Sequence, residues 1–195
     1  MTAREHWNPG LDNDDLRLED IYSTMPGDAA STVPWYVRLV ENPRSPVALP
    51  GAIDLFGHDC IHILLGRGLL AQDEAFVIGF TMGAAQASPL HQAVYRFVAR
   101  HLYRGAYRFG RVDAAVFDLA LDIGRQHVRP LHQIPYVDIV SYRLGHLRAQ
   151  LGLSSGVLRA AYAMERALWP DTAASARLPV FARPGRSATR VWPRL

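Results

Sequence analysis

From Ala52 onward apolar residues recur at intervals of three and four, the period of helices that bury one face. The pattern predicts five or six helices. The first covers about 52–65 and is broken by Gly66-Arg67-Gly68, and the second covers about 70–86, opening on Gln72-Asp73-Glu74, whose acids suit a helix N-terminus. Ser88-Pro89 reads as the cap and first-turn proline of a third, in which Leu90, Val94, Phe97, Val98 and His101 make an amphipathic stripe running to Tyr103. Asp113 starts a fourth, with Val116, Phe117, Ala120, Leu121 and Ile123 on its buried side. Pro135 starts a fifth that ends at Gly152, and Ser154 or Ser155 caps a sixth that carries Val157, Leu158, Ala161, Tyr162 and Met164 on to Trp169. No stretch alternates apolar and polar residues long enough to demand a strand. The expected fold class is therefore all-α, a single-domain helical bundle.

The ends read differently. Residues 1–50 form an N-terminal arm with an acidic segment (Asp12, Asp14, Asp15, Glu19, Asp20), a short helix around Trp35 to Glu41 and prolines at 43, 46 and 50. Its Leu16, Leu18, Ile21 and Trp35 can pack onto the helical domain at 51–170. Beyond Asp171 there is no acid, and five arginines are interspersed with three prolines, so 171–195 is expected to be a flexible tail, solvated in the plainer reading and otherwise able to touch an anionic membrane surface. At 195 residues the chain suits one domain rather than two.

Charge removes some function classes. All 21 basic residues are arginine, yet the net charge is only +3, too small an excess for a nucleic-acid partner. A single cysteine, Cys60, leaves no internal disulfide, and the N-terminus lacks the apolar core of a signal peptide, which makes the cytoplasm the default. Ala75 to Tyr95 carries no full charge, but Gln86, Ser88, Pro89, His91 and Gln92 disqualify it as a membrane span.

The chemistry concentrates in Gly57-His58-Asp59-Cys60-Ile61-His62. On a helix, His58, His62 and Asp59 lie at about 0°, 40° and 100° around the axis, one arc of a single face, while Cys60 points away. Glu74 would stand about 18 Å further along an unbroken helix. It can join the others only if the chain doubles back at Gly66 to Gly68, with the small stripe Ala75, Gly79, Gly83 letting the returning helix approach the first. This predicts a helical hairpin closed by a divalent metal, with His58, Asp59, His62 and Glu74 as ligands. Two nitrogens and two or more oxygens suit zinc, Fe(II) or Mn(II). The plainer reading is a surface histidine pair beside solvated acids.

The pattern His58-Asp59-x-x-His62, eleven residues and Glu74, with Leu64-Leu65-Gly66 after the second histidine, resembles the metal motif of the coenzyme Q (ubiquinone) biosynthesis protein 4 family. A second block, from Asp118-Leu119 through Gly124-Arg125 to Pro130-Leu131 and then Leu147 to Leu153, is similar to that family's C-terminal region, so the resemblance spans roughly 52–153. Asp73 stands where the family usually has glycine, and Ile53 to Gly57 replaces a segment that is often basic. The resemblance implies a role in ubiquinone biosynthesis: metal-dependent oxidative decarboxylation of a prenylated aromatic head group, or scaffolding and isoprenoid-lipid carriage without catalysis. The partners expected with it are a prenylated aromatic quinone precursor, other quinone-biosynthesis enzymes, a peripheral membrane contact and a second copy of the chain in a homodimer. The apolar stretch from Ala75 to Ala85 is a candidate wall for a prenyl tail, with core packing as its plainer role. Asp118 and Asp122 are weighed as outer supports of the site against an ordinary ion pair of Asp122 with Arg125. A protease of the H-E-x-x-H type would need glutamate at Asp59, and an HD-type phosphohydrolase would need further ligands that the chain does not offer upstream.

Overall fold

Two short helices, α1 (Ala3–His6) and α2 (Leu18–Tyr22), precede the longer α3 (Leu55–Leu65), α4 (Ala71–Ala84), α5 (Pro89–Phe97) and α6 (Arg111–Arg125). The chain then forms α7 (Leu144–Leu151), α8 (Ser155–Leu168) and α9 (Ala173–Arg177). The coordinates are a computed structural model, and the residues described are 3–26, 50–102, 108–127 and 129–178. Among them there is no strand, only one isolated bridge between Arg17 and Arg143, and the protein is all-α. The expected helix around Trp35 and the tail beyond 178 lie outside the described residues.

Side-chain caps fix where helices begin. Asp54, Ser88 and Ser154 each accept from the backbone N–H three residues on, at Gly57, His91 and Val157. Gly66 and Gly152 end α3 and α7 in the left-handed conformation, with φ of 70° and 76°. The carboxylate of Asp113 accepts from the N–H of Gly110 at 2.7 Å, so it braces the first turn of α6 from inside and the helix begins two residues earlier than expected. Helix α5 passes into a π turn at Val98–Leu102.

The expected helix from Pro135 to Gly152 is corrected. Only a 3₁₀ turn at Tyr136–Asp138 and the separate α7 form. The reason is tertiary: Val140 and Tyr142 give their carbonyls to the N–H groups of Glu19 and Leu18, and Leu144 donates to Leu16. Pairing with the arm takes the backbone groups that a continuous helix would have used.

A second correction concerns the small stripe of α4. Gly79 and Gly83 pack against the backbone of α6 at Phe117 and Leu121, and Gly124 of α6 packs against Phe80 in return. Glycine allows this close approach because it has no Cβ. The stripe thus docks α4 on α6, not on α3. With α6 on one side and the rest of the body around it, α4 contributes Phe76, Val77 and Phe80 to the larger apolar cluster and Ala75 and Met82 to a smaller one around Tyr95 and Phe117. Burial on nearly every face explains why α4 has no polar side. Core packing accounts for the stretch once weighed as a lipid wall.

Arm and tail both contribute to the body. Leu11 and Leu18 are fully buried in the main cluster. At the other end α9 is ordered and Leu178 is buried, so the packed region extends past the expected boundary at 170. No helix among the described residues is long and apolar enough to cross a membrane.

Candidate metal centre

The chain reverses between Leu65 and Ala71, where the hairpin reading requires it. Across that turn Glu74 Oε2 lies 3.0 Å from His58 Nε2 and 3.3 Å from His62 Nε2, and the two imidazole nitrogens are 3.1 Å apart. Ligands at about 2.1 Å from one ion stand about 3.0 Å apart in an octahedron and about 3.4 Å apart in a tetrahedron. The three observed separations fall in that interval. These residues form a group able to hold a metal ion.

His62 is wholly buried, and its Nδ1 lies 2.8 Å from the carbonyl oxygen of Gly68. A carbonyl only accepts, so Nδ1 donates and Nε2 is the ring atom turned toward His58 and Glu74. At that point the Glu74 carboxylate can be met by a proton on an imidazole Nε2 or by a bound cation. Burial would raise the Glu74 carboxyl, but the charges and hydrogen bonds of His62 and His58 outweigh it and hold the group well below the usual carboxylate range. The carboxylate is ionised and ready to bind. His58 and Glu74 keep 20% and 16% side-chain exposure, so the centre opens to solvent on one side.

Asp59, expected as a fourth ligand, stands on α3 outside this group. Its charge acts on Tyr22 and Cys60. Cys60 is buried, and burial, then Asp59 and Asp54, push its thiol up to about 12, so it is a protonated core residue as its helix position implied. Asp118 binds Arg96 and Asp122 binds Arg125, the ion-pair reading, and neither supports the centre. The outer support is the Gly68 carbonyl, which no side-chain motif announces.

Behind the turn lies a buried charge network that the sequence reading did not find. Arg67, fully buried, donates from Nη1 and Nη2 to both carboxylate oxygens of Glu165 at 2.9 Å each, and its Nε lies 3.1 Å from Asp73. Its guanidinium also stacks over Phe76 and Tyr162. Burial alone would lower its pKa, but Asp73 and Glu165 outweigh burial and raise it further. Gln72 donates to Glu165 and Ser175, while Asp73 accepts from Leu70 N–H and from Arg177. Arg177 in turn donates to the carbonyls of Glu5 and Trp7. A second buried arginine, Arg148, donates to the carbonyls of Ile63 and Leu64 and to Asn13 and Asp14, closing the C-terminal end of α3.

Set against models of known protein families, curated proteins and solved structures, the chain matches none of them.

Proposed function

We propose that this protein is a divalent-metal enzyme of ubiquinone head-group biosynthesis, acting on a carboxylated aromatic ring that bears a prenyl tail. The observation that carries the reading is the convergence of His58 Nε2, His62 Nε2 and Glu74 Oε2 across the hairpin turn. Two histidines and one carboxylate are the donor set of non-haem iron centres that keep positions open for substrate and oxygen, and zinc and Mn(II) also accept it. The resemblance of His58-Asp59-x-x-His62 and Glu74 to the coenzyme Q biosynthesis protein 4 motif supplies the substrate class.

A metal bound there supplies Lewis acidity toward a ring carboxylate and its neighbouring oxygen and, if it is iron, access to dioxygen as oxidant. The reaction proposed takes the ring carboxylic acid, water and dioxygen to the phenol, carbon dioxide and hydrogen peroxide: the bond from ring to carboxyl breaks, a ring–oxygen bond forms with oxygen from water, and dioxygen takes up the two electrons. The chain's own part is orientation. Gly68 fixes the tautomer of His62, and the partly exposed His58 and Glu74 face the approach. The cavity of about 260 Å³ beside the first turn of α3, lined by Ile53, Phe56, His132, Ile134 and Tyr136, has none of the three converging residues in its wall. It falls short of the ~300–1,000 Å³ of common small-molecule sites, so a long tail would have to lie outside it.

The rival reading is a non-catalytic scaffold or lipid carrier whose metal only staples the hairpin. The charge network argues against it. Arg67, Asp73, Glu165 and Arg177 already clamp the turn, and Gly66 already caps α3, so closure does not require an ion. Asp73 in particular, at the position where the resembling family has glycine, does that work here.

The test is elemental analysis of protein purified without added metal, followed by assay on a prenylated 4-hydroxybenzoate. Bound iron, turnover to the hydroxylated product, and loss of both in a folded His58→Ala protein are expected. Tightly held zinc without turnover would hand the case to the staple reading. Absence of any metal, with His58→Ala indistinguishable from wild type, would overturn the centre itself.

A further inference from the structure

The outward face of α5 has no partner among the described residues. Leu90 is 70% exposed, Phe97 59% and Val94 41%, and the helical period places the three within one narrow stripe that His101 extends, its ring against that of Phe97. The opposite face, through Gln92, Tyr95 and Ala99, is buried against the body. Large apolar groups held this far out of the core on a fixed helix mark a contact surface.

Along this stretch of chain the charge is of one sign. No acidic residue occurs between Glu74 and Asp113, while arginines stand at 96, 100, 104, 108 and 111. Arg100, Arg108 and Arg111 are exposed, and Arg108 is tied to the end of the stripe because its Nε donates to the carbonyl of Arg100 at 3.2 Å. The nearest acids on α6 are engaged: Asp118 holds Arg96, and Asp113 holds the N–H of Gly110. A second copy of the chain fits this face poorly, since a two-fold contact would set arginines against arginines, and the carboxylate at its edge, Asp118, is already taken by Arg96. Apolar side chains flanked by cations on one exposed helix face suit an interface whose outer layer is anionic and whose next layer is hydrocarbon.

We infer that the α5 face, through Leu90, Val94 and Phe97 with Arg100 and Arg108 at its border, docks the protein on the surface of an anionic phospholipid bilayer. It places a membrane contact on the folded body, separate from the one weighed for the tail. This surface rests on no assumption about the metal centre, and metal content serves as an independent readout.

The test is co-sedimentation of the full chain with vesicles of phosphatidylcholine, with and without about one third phosphatidylglycerol. Binding to the anionic vesicles, weakened by salt, is expected, with little to neutral ones. Leu90→Ser/Phe97→Ser should lower the partition on the order of tenfold, and Arg100→Glu/Arg108→Glu by at least as much. Both should leave helicity, melting temperature and metal content unchanged, because the altered side chains project from the surface. Val157→Ser/Met164→Ser, on the exposed apolar stripe of α8, should bind like wild type. No binding to anionic vesicles, equal binding to both vesicle types, or wild-type binding by the α5 variants would overturn the inference. So would loss of binding confined to the α8 variant, and so would capture by acidic polyglutamate without capture by vesicles, which would assign the arginines to a protein partner.

Discussion

Glu165 occupies a position where a leucine would be expected. With Leu158, Ala161 and Tyr162 it falls on the buried side of α8 at intervals of three and four, and only its pairing with Arg67 and Gln72 makes that burial tolerable. Glu165→Ala leaves the Arg67 charge buried with half its partners, and we expect a loss of about 3–5 kcal/mol in urea denaturation. The double change Arg67→Met/Glu165→Leu removes the charge as well and should recover most of that loss. The same logic made the network legible in principle. Glu165 and Arg148 are charged residues on the apolar period of their helices, and such a charge implies a buried partner. Arg67 carries no such mark, because it lies in a turn between two glycines where periodicity says nothing. A second residue-scale effect follows from His127 and His132, of which His127 Nε2 and His132 Nδ1 are buried without a hydrogen-bond partner. Burial holds both imidazoles below their ordinary value of 6.5, and Arg129 adds to this at His127. Between 6.5 and those lower folded values the unfolded chain binds more protons, so stability is full above this window and falls as pH is lowered through it. Denaturation from about pH 7 to about pH 5 should show a shallower decline in His127→Gln/His132→Gln than in wild type.

At the scale of elements, the contact between α4 and α6 sets the strictest steric demand. A Cβ at Gly79 would run into the backbone carbonyl of Phe117, which cannot swing aside as a side chain can. Gly79→Ala should cost about 1–3 kcal/mol by overpacking. Gly156, near the start of α8, meets only the Ser154 hydroxyl at 3.6 Å, and Gly156→Ala should stabilise by about 0.5–1 kcal/mol. Melting curves of the two variants, moving in opposite directions, would check both. The stripe of small residues was visible in the sequence, but its partner was not. Spacing tells which face of a helix permits close approach and gives no information about what approaches it. The segment from Pro135 to Gly152 failed for a related reason. Its residues suit a helix, and the arm's claim on its carbonyls at Val140 and Tyr142 is a contact across more than a hundred residues of chain.

For the whole molecule, the hairpin was the most legible feature, because a twelve-residue gap between ligands can be closed in few ways. Three of its four expected ligands meet, and Asp59 is the one that does not join them. The cause is angular: a residue next to His58 starts about 100° away around the helix, and Glu74 approaches from the His58–His62 side. Asp59→Asn should therefore retain most of the metal, whereas Glu74→Gln should lose it, as metal content after dialysis would report. The turn that brings Glu74 round is gripped from both ends of the described chain, by the Glu5 and Trp7 carbonyls through Arg177 and by α9 through Ser175. The support behind His62 is thus tied to the start of the arm and to α9. Clipping the first nine residues, or prying α9 away, would slacken the Gly68 carbonyl behind His62, and a chelator should then strip the ion faster although no ligand has been touched.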